Sequence, residues 1–412
     1  MKKITLTFFI TVLLSMSNTF AQSGTTGDLT WNLQHDQLTI SGHGAMPDFR
    51  WGGAPWYLYQ EFINTIILET GVTNIGSYAF AGCTRLTSIT IPINVKNIGA
   101  YTFVGCENLT SIHVESENYY YASENGVLFD KRKTTLICYP GGKQGEYVIP
   151  NTVTSIRRRA FYASNLTSVT IPKSVTSIGN DAFEFCKTLV SIDVETGNNN
   201  YFSDDGVLLN NYKTVLICCP AGKTGEYVIP NSVKKIEYEA FYFSKLTLIT
   251  IPESVTKIED RAFYASCVYA INLPNSVTSI GTAVFLRCSN LISVTIPNSV
   301  TSIGNDAFSF CESLDYVTIP NSVTKIGNEA FSACKTLSMI TIPESVTSIG
   351  NNAFFSCENL TLITNLSAVP VVINSNVFKR TVQSKCTLIV PEIAVSAYEN
   401  AEVWKEFNIE GF

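Results

Sequence analysis

Residues 219–230 read CPAGKTGEYVIP, and the GKT at their centre is the ending of a phosphate-binding loop, G-x-x-x-x-G-K-[ST]. Such a loop needs a glycine five residues before Gly222 so that successive backbone N–H groups can turn inward on a phosphate. Ile217 stands there. The loop must also open a helix, whereas GEYVIP continues as a β-type segment. A second version of the segment, CYPGGKQGEYVIP (138–150), has Gln144 in place of Thr224 and so lacks the magnesium-binding hydroxyl. Two versions that keep the frame G-K-x-G-E-Y-V-I-P while one drops that hydroxyl keep a shape, and the nucleotide reading is set aside.

Other chemistry-bearing residues are as sparse. The histidines are His35, His43 and His113, and no G-x-S-x-G accompanies them to build a nucleophilic triad. Carboxylates are scattered over turn positions, so a glycosidase pair would have to meet from distant segments. In YFSDDG (201–206) the alternating calcium-ligand pattern fails at Tyr201, and the sister segment carries Ala122, Ser123, Glu124 and Asn125. Among the 12 cysteines there is no C-x-x-C and no histidine lies close to them in sequence, so no metal is expected. The expectation is a chain with no catalytic residues, no cofactor and no enzymatic activity.

Composition narrows the class further. Charged residues make up 15% and the net charge is −6, which lacks the basic stripe that nucleic acid demands. Ile, Val and Thr are abundant, favouring strands over helices. Lys2 and Lys3, the apolar stretch 4–16 and Thr19-Phe20-Ala21 read as a secretory signal over residues 1–21. No later run reaches membrane-spanning length, and the first cysteine is Cys83, too late for a lipoprotein anchor. A secreted or cell-surface location is expected.

The elements that would position any site follow from an internal repeat. Copies beginning at Pro274, Pro297, Pro320 and Pro343 share P-x-S-V-T-x-I-G and, after it, A-F-x-x-C, with Val284-Phe285 standing for Ala-Phe in the first. Others start at Glu69, Pro92, Pro150, Pro172, Pro230 and Pro252, and a degraded one lies near Leu366. In the copy from Pro297, Val317 and Ile319 alternate with Tyr316 and Thr318, the period of a strand with one face buried. Proline ends the strand, glycine is expected to permit a tight turn, and Ala-Phe drops a ring into the interior. Such a unit cannot bury its apolar side alone, but stacked units make one core. Cys83, Cys106, Cys186, Cys288, Cys311, Cys334 and Cys357 share one repeat position, where Ser164 and Ser244 substitute. In-register side chains point the same way, a poor disulfide geometry, so reduced thiols are expected there. The redox state of Cys138, Cys218, Cys219 and Cys386 stays open.

L-x-x-I-x-I resembles a leucine-rich-repeat core, and ITIPxSVTSIGxxAFxxC is similar to the BspA-type class of bacterial surface proteins. The resemblance covers roughly residues 63 to 390. It implies a mainly β leucine-rich-repeat solenoid with parallel strands on the concave face and an interaction role. Members of the class are implicated in adhesion to host matrix proteins such as fibronectin and fibrinogen, so adhesion or protein–protein interaction is the expected function.

Residues 92–171 and 172–251 form a larger repeat of 80 residues, each half containing an expanded coil, 115–149 and 195–229. Each expanded coil reads as a β-hairpin projecting from the solenoid, its start marked by Asn125-Gly126 or Asp205-Gly206 and its return by the GGK or AGK turn. An N-terminal cap is expected over 22–62, with a hairpin at 29–42, and a C-terminal cap of helical character over 391–412. Candidate ligand-binding residues are Tyr119, Tyr120, Tyr121, Tyr201 and Phe202 on the hairpins, and His113, Asp193, Tyr316 and Met339, which interrupt a threonine column on the concave strands. The expected partner of this monomer is a protein, with extracellular-matrix proteins among the candidates. A glycan partner and a spacer role without ligand are the alternatives. Lys131-Arg132-Lys133 and Arg157-Arg158-Arg159 read as solvated loops.

Overall fold

A computed structural model describes residues 21–381 and 383–412. The signal segment expected over 1–21 lies, but for Ala21, outside them. The described backbone is short strands and turns with one α-helix, Val395–Glu399. It divides into two compact units: residues 21–145, 150–166 and 174–186 form the first, and 146–149, 167–173 and 187–412 the second. Both are stacked coils of a β-solenoid, the leucine-rich-repeat architecture.

The second unit shows the regular coil most plainly. Nine parallel strands, from Thr224–Val228 to Asn408–Gly411, make one continuous sheet. A narrower parallel ladder, Ser302–Ile303, Lys325–Ile326 and Ser348–Ile349, runs through the coil segment after each strand. Phe241, Phe263, Phe285, Phe308, Phe331, Phe354 and Phe378 stack in a column, ring centroids 4.9–5.5 Å apart. That spacing is set by the strand separation, and offset stacking adds to the burial each ring contributes. Trp404 and Phe407 close the column edge-on against Phe378.

Polar residues of the repeat serve the stack. Ser299, Ser322 and Ser345 donate their hydroxyls to the carbonyls of Val277, Val300 and Val323 on the preceding coil, at 2.6–2.7 Å. The thiols do the same: Cys311, Cys334 and Cys357 donate to the carbonyls of Phe285, Phe308 and Phe331 at 3.1–3.2 Å. Thr381, at the same position of the degraded coil, donates to Phe354 at 3.1 Å. The shared position is thus a donor site as much as a small apolar one. Ser266, and not Cys267, occupies it in the coil from Pro252, and its hydroxyl lies 3.4 Å from the Cys288 sulfur. All twelve cysteines are free thiols.

The turn around Ala-Phe also hydrogen-bonds from coil to coil. Asp306, Phe308 and Phe310 donate their N–H groups to the carbonyls of Asn328, Ala330 and Ser332 at 2.8 Å. Alternate N–H groups can point the same way because Asp306 and Phe310 have φ of 55° and 57°, the left-handed region, on either side of Phe308. The glycine after the second isoleucine has a different reason from the tight turn expected of it. Gly327 does not have positive φ, but a Cβ there would lie 2.5 Å from the Gly304 carbonyl carbon of the coil before.

The first unit begins with three antiparallel strands, Ala21–Thr26, Leu29–Gln34 and Gln37–Gly42, the last pairing in parallel with Thr65–Leu68. Trp56 is buried, stacks on Phe80 and donates its indole N–H to the Ala79 carbonyl at 2.7 Å. At the other terminus, helix is confined to five residues, because Thr387–Val390 and Asn408–Gly411 extend the parallel sheet instead. Tyr398, Val403, Trp404 and Phe407 are buried beneath it.

The expanded coils differ from the expected free hairpins. Each is a three-stranded meander: Tyr121–Glu124, Val127–Asp130 and Thr135–Cys138 in the first unit, Tyr201–Asp204, Val207–Asn210 and Val215–Cys218 in the second. Val127, Leu128, Phe129 and Leu136 are fully buried, and Thr135–Cys138 pairs in parallel with Ser155–Ile156, so the meander is a member of the stack. The buried middle strand and the Leu136 side chain outweigh any tendency to project. Buried Asn118 fixes the start: its amide donates to the carbonyls of Pro92 and Val95, and its oxygen accepts from the N–H groups of Tyr120 and Tyr121. The GKT and GKQ segments prove to be modified Ala-Phe turns. Tyr139 and Cys219 donate their N–H groups to Ala160 and Ala240 at 2.7 Å, as Phe241 does to Ala262. Thr224 begins a strand, and Lys223 pairs with Asp205 at 2.9 Å.

Candidate functional site

Two surfaces carry the expected ligand-binding residues: the outward face of the parallel strands and the outer edges of the meanders. On the strand face, register separates residues that the sequence places in one column. His113 is the cross-strand partner of Thr90, and Asp193 of Thr170. Tyr316 and Met339 pair with each other, two positions earlier along the strand, in a column shared with Ser293 and Leu362. Tyr316 is 54% exposed and Met339 52%. The residue just before that column adds Tyr269 and Ile292, each 50% exposed and joined by the Ile292 N–H donating to the Tyr269 carbonyl at 2.8 Å. Leu248, also exposed, extends the strip to a fifth strand of the same sheet. Tyr269, Ile292 and Leu248 escaped the sequence reading because they sit where most copies carry a polar residue. The signal was their departure from Thr and Ser at those positions.

His113 and Asp193 sit beside the tight turns of the two meanders. The Ser111 hydroxyl lies 3.1 Å from His113 Nε2, and the Ser191 hydroxyl donates to both Asp193 oxygens at 2.9 Å. Asn125-Gly126 and Asp205-Gly206 both have positive φ at each residue, the two-residue turn that matches strand twist. A Cβ on Gly206 would lie 2.5 Å from the Ser191 hydroxyl, and the Ile192 N–H donates to the Gly206 carbonyl at 2.8 Å, holding the turn against the strand bearing Asp193. An open cleft there is lined by Asp193, Asp205 and Lys223, and the Lys223 ammonium is already held by Asp205. Among the described residues no group of three or more His, Cys, Asp or Glu side chains is placed to hold a metal ion.

The meander aromatics divide. Tyr119 is 80% exposed, and Tyr120 is exposed beside it. Tyr121 turns inward: its hydroxyl accepts the N–H of Ile98 at 2.9 Å, and burial raises the phenol above its usual range. Tyr201 and Phe202 are half-buried, with the Lys213 ammonium 3.8 Å from the Phe202 ring centroid. The structure therefore brings Tyr119 with Tyr120 and Tyr316 with Met339 to open surface, and gives Tyr121 a structural bond.

Of the basic runs, Lys131 donates to the Ser116 carbonyl and Lys133 pairs with Glu124 at 2.6 Å. Arg158 binds Asp181 at 2.8 Å, and Arg159 binds Glu184 at 2.5 Å between the rings of Tyr101 and Tyr162. These arginines are structural links between coils, which the reading as solvated loops missed. No helix among the described residues is long and apolar enough to cross a membrane.

Comparison with known proteins places the chain. Residues 56–129, 138–213, 221–338 and 284–405 match the model of the BspA type leucine rich repeat region. A leucine-rich repeat protein from Eubacterium ventriosum is similar in structure, with 29% identity, a TM-score of 0.58, and coverage of 81% of this chain and 95% of that one. A leucine rich cell surface protein from Faecalibacterium prausnitzii has 29% identity and a TM-score of 0.52, covering 77% of this chain and 94% of its own. The pneumococcal vaccine antigen PcpA, at 17% identity and a TM-score of 0.51 over 96% of this chain and 100% of its own, shares the fold. No curated protein matches the chain. With the family model spanning most of the solenoid and its repeat chemistry now visible rung by rung, this chain belongs to the BspA-type leucine-rich-repeat proteins.

Proposed function

We propose that the chain is an exported surface protein that adheres to a protein partner through the outward face of its parallel strands. The observation that carries this reading is a set of four large side chains, each half-exposed, along four consecutive strands of one sheet: Tyr269 and Ile292 immediately before their strands, and Tyr316 and Met339 as the first residues of theirs. Threonine would serve an exposed strand as well, and flanks them as Thr295, Thr318 and Thr341. Aromatic and methionine side chains clustered on a rigid face are the composition of interface centres, with polar residues forming the rim. The cell-surface description of the Faecalibacterium relative supports the location.

The test is binding of the purified chain to immobilised fibronectin and fibrinogen, alongside a glycan array. Tyr316→Ala with Met339→Ala is expected to weaken protein binding at least about ten-fold, the effect of losing central interface anchors. Both side chains are exposed, so thermal stability should hold. Equal binding by the double variant, or binding confined to glycans, overturns the reading.

A further inference from the structure

The first unit contains a cavity of about 430 Å³ that the adhesion reading does not use. It arises where the coil-to-coil ladder is interrupted. Asn97–Ile98 is the last strand of its sheet, and the parallel ladder resumes only at the meander strand Thr135–Cys138, which pairs with Ser155–Ile156 in a separate sheet. Ile98 is instead satisfied by side chains: the Tyr121 hydroxyl takes its N–H at 2.9 Å, and an Arg157 N–H reaches its carbonyl at 3.3 Å. Arg157 occupies the repeat position that holds glycine in regular coils, where a Cβ does not fit. A whole arginine fits here because the expanded coil has opened the stack.

Arg157 is half-buried and has no carboxylate within ion-pair distance among the described residues, whereas Arg158 and Arg159 are neutralised by Asp181 and Glu184. Its charge lowers the thiol of Cys138 and the phenol of Tyr121 against the larger upward effect of burial, so its field reaches both. A guanidinium withdrawn from water favours a counter-charge, and its planar donors match a carboxylate. The rest of the lining combines apolar and aromatic residues, among them Phe103, Leu128, Ile137 and Tyr139, with Thr102 and the already paired Arg158 and Arg159. The volume falls in the range of small-molecule pockets and exceeds what an inorganic anion fills.

The second meander supplies an internal control. Eighty residues on, Glu237 stands for Arg157, Cys219 for Tyr139, and Glu237 pairs with Lys235 at 2.9 Å. The same frame is therefore built with neither the guanidinium nor the Tyr139 ring, although Phe183 keeps the place of Phe103, so Arg157 and Tyr139 are not requirements of the meander. We propose that this cavity binds a small organic carboxylate, its charged end on Arg157 and an apolar or aromatic body against Tyr139 and Phe103.

The test is calorimetric titration of the full chain with benzoate, using benzyl alcohol as the same ring without charge and acetate as the same charge without ring. One benzoate per chain is expected to bind at roughly millimolar affinity or tighter, and both controls at least about ten-fold more weakly. Arg157→Glu, the residue of the second meander, should abolish binding. Tyr139→Cys, also taken from the second meander, should weaken benzoate while leaving acetate unchanged, and it serves if Arg157→Glu does not fold. Absence of saturable benzoate binding, or binding that survives Arg157→Glu, overturns the proposal. Because the cavity residues belong to the first unit and the apolar strip to the second, failure here leaves the adhesion reading standing, and the reverse holds.

Discussion

The thiol of Cys311 donates to the carbonyl of Phe285, 3.1 Å away on the preceding coil, in a fully buried position. That carbonyl belongs to the residue whose ring heads the same layer of the core. One small side chain thus fills space beneath the Phe column and satisfies a polar group there. Replacing Cys311 by Ser keeps a donor and should cost little. Replacing it by Val keeps the volume and removes the S–H bond, leaving the carbonyl only its bond from the Cys288 N–H, which should cost about 0.5–1.5 kcal/mol. Chemical denaturation of the two variants measures the difference, and equal stability would mean the S–H bond contributes nothing.

The same burial makes stability fall at alkaline pH. Burial pushes Cys83, Cys138, Cys219, Cys288 and Cys357 up to about 12 from an ordinary value of 9.0. A raised thiol means that the folded state holds protons which the unfolded state releases above pH 9. The stabilisation is complete below pH 9 and is lost as pH rises toward 12, at about 1.4 kcal/mol per pH unit for each thiol. Urea midpoints should therefore decline steeply between pH 9 and 11, and less steeply when Cys138 is replaced by Ala. Alkylation of the folded chain at pH 8 should leave these thiols unmodified.

Glycine positions offer a matched pair. A Cβ at Gly327 would strike the backbone of Gly304 at 2.5 Å, but a Cβ at Gly281 meets the side-chain oxygen of Asp260, at 2.4 Å. Backbone cannot swing aside and an exposed carboxylate can. Gly327→Ala should cost roughly 1–3 kcal/mol as overpacking, and Gly281→Ala clearly less. Thermal melts of both variants decide it, and an equal loss would refute close approach as the reason for the glycine.

The period, the parallel strands and the column of rings were legible because each rests on one residue type recurring at one spacing: Val317 and Ile319 for the strand, Phe308 for the column. What stayed hidden depended on which coil faces which. Tyr316 and His113 look alike on a list of outward residues, and only strand register puts them in separate columns. Arg157 read as part of a solvated basic run, and its meaning lay in the glycine it displaced. The meanders were read as projections because four polar residues at a tip say turn, while nothing local says that Leu128 and Leu136 face an existing core. Asn118 gave no signal at all, nor did Asn198, which is likewise buried and accepts the N–H groups of Asn200 and Tyr201 in the second meander, since a buried asparagine that starts a meander is indistinguishable in sequence from a turn residue.

Asn118 gives the last prediction. It is wholly buried, donates to two carbonyls of the preceding coil, and accepts two N–H groups from the meander, so four hydrogen bonds converge on one amide. Asn118→Asp keeps the accepting oxygen but places a second oxygen against the carbonyls of Pro92 and Val95, which repel it. Asn118→Ala removes all four bonds, leaving the Pro92 carbonyl only its bond from the Val95 N–H. Both should be destabilising by more than about 2 kcal/mol, since unsatisfied buried groups lose their full hydration. The loss should be local before it is global: hydrogen exchange should show residues 119–138 opening first, because this residue joins the start of the meander to the preceding coil. Uniform loss of protection across the first unit would instead mean that the meander and its neighbouring coils unfold as one cooperative block.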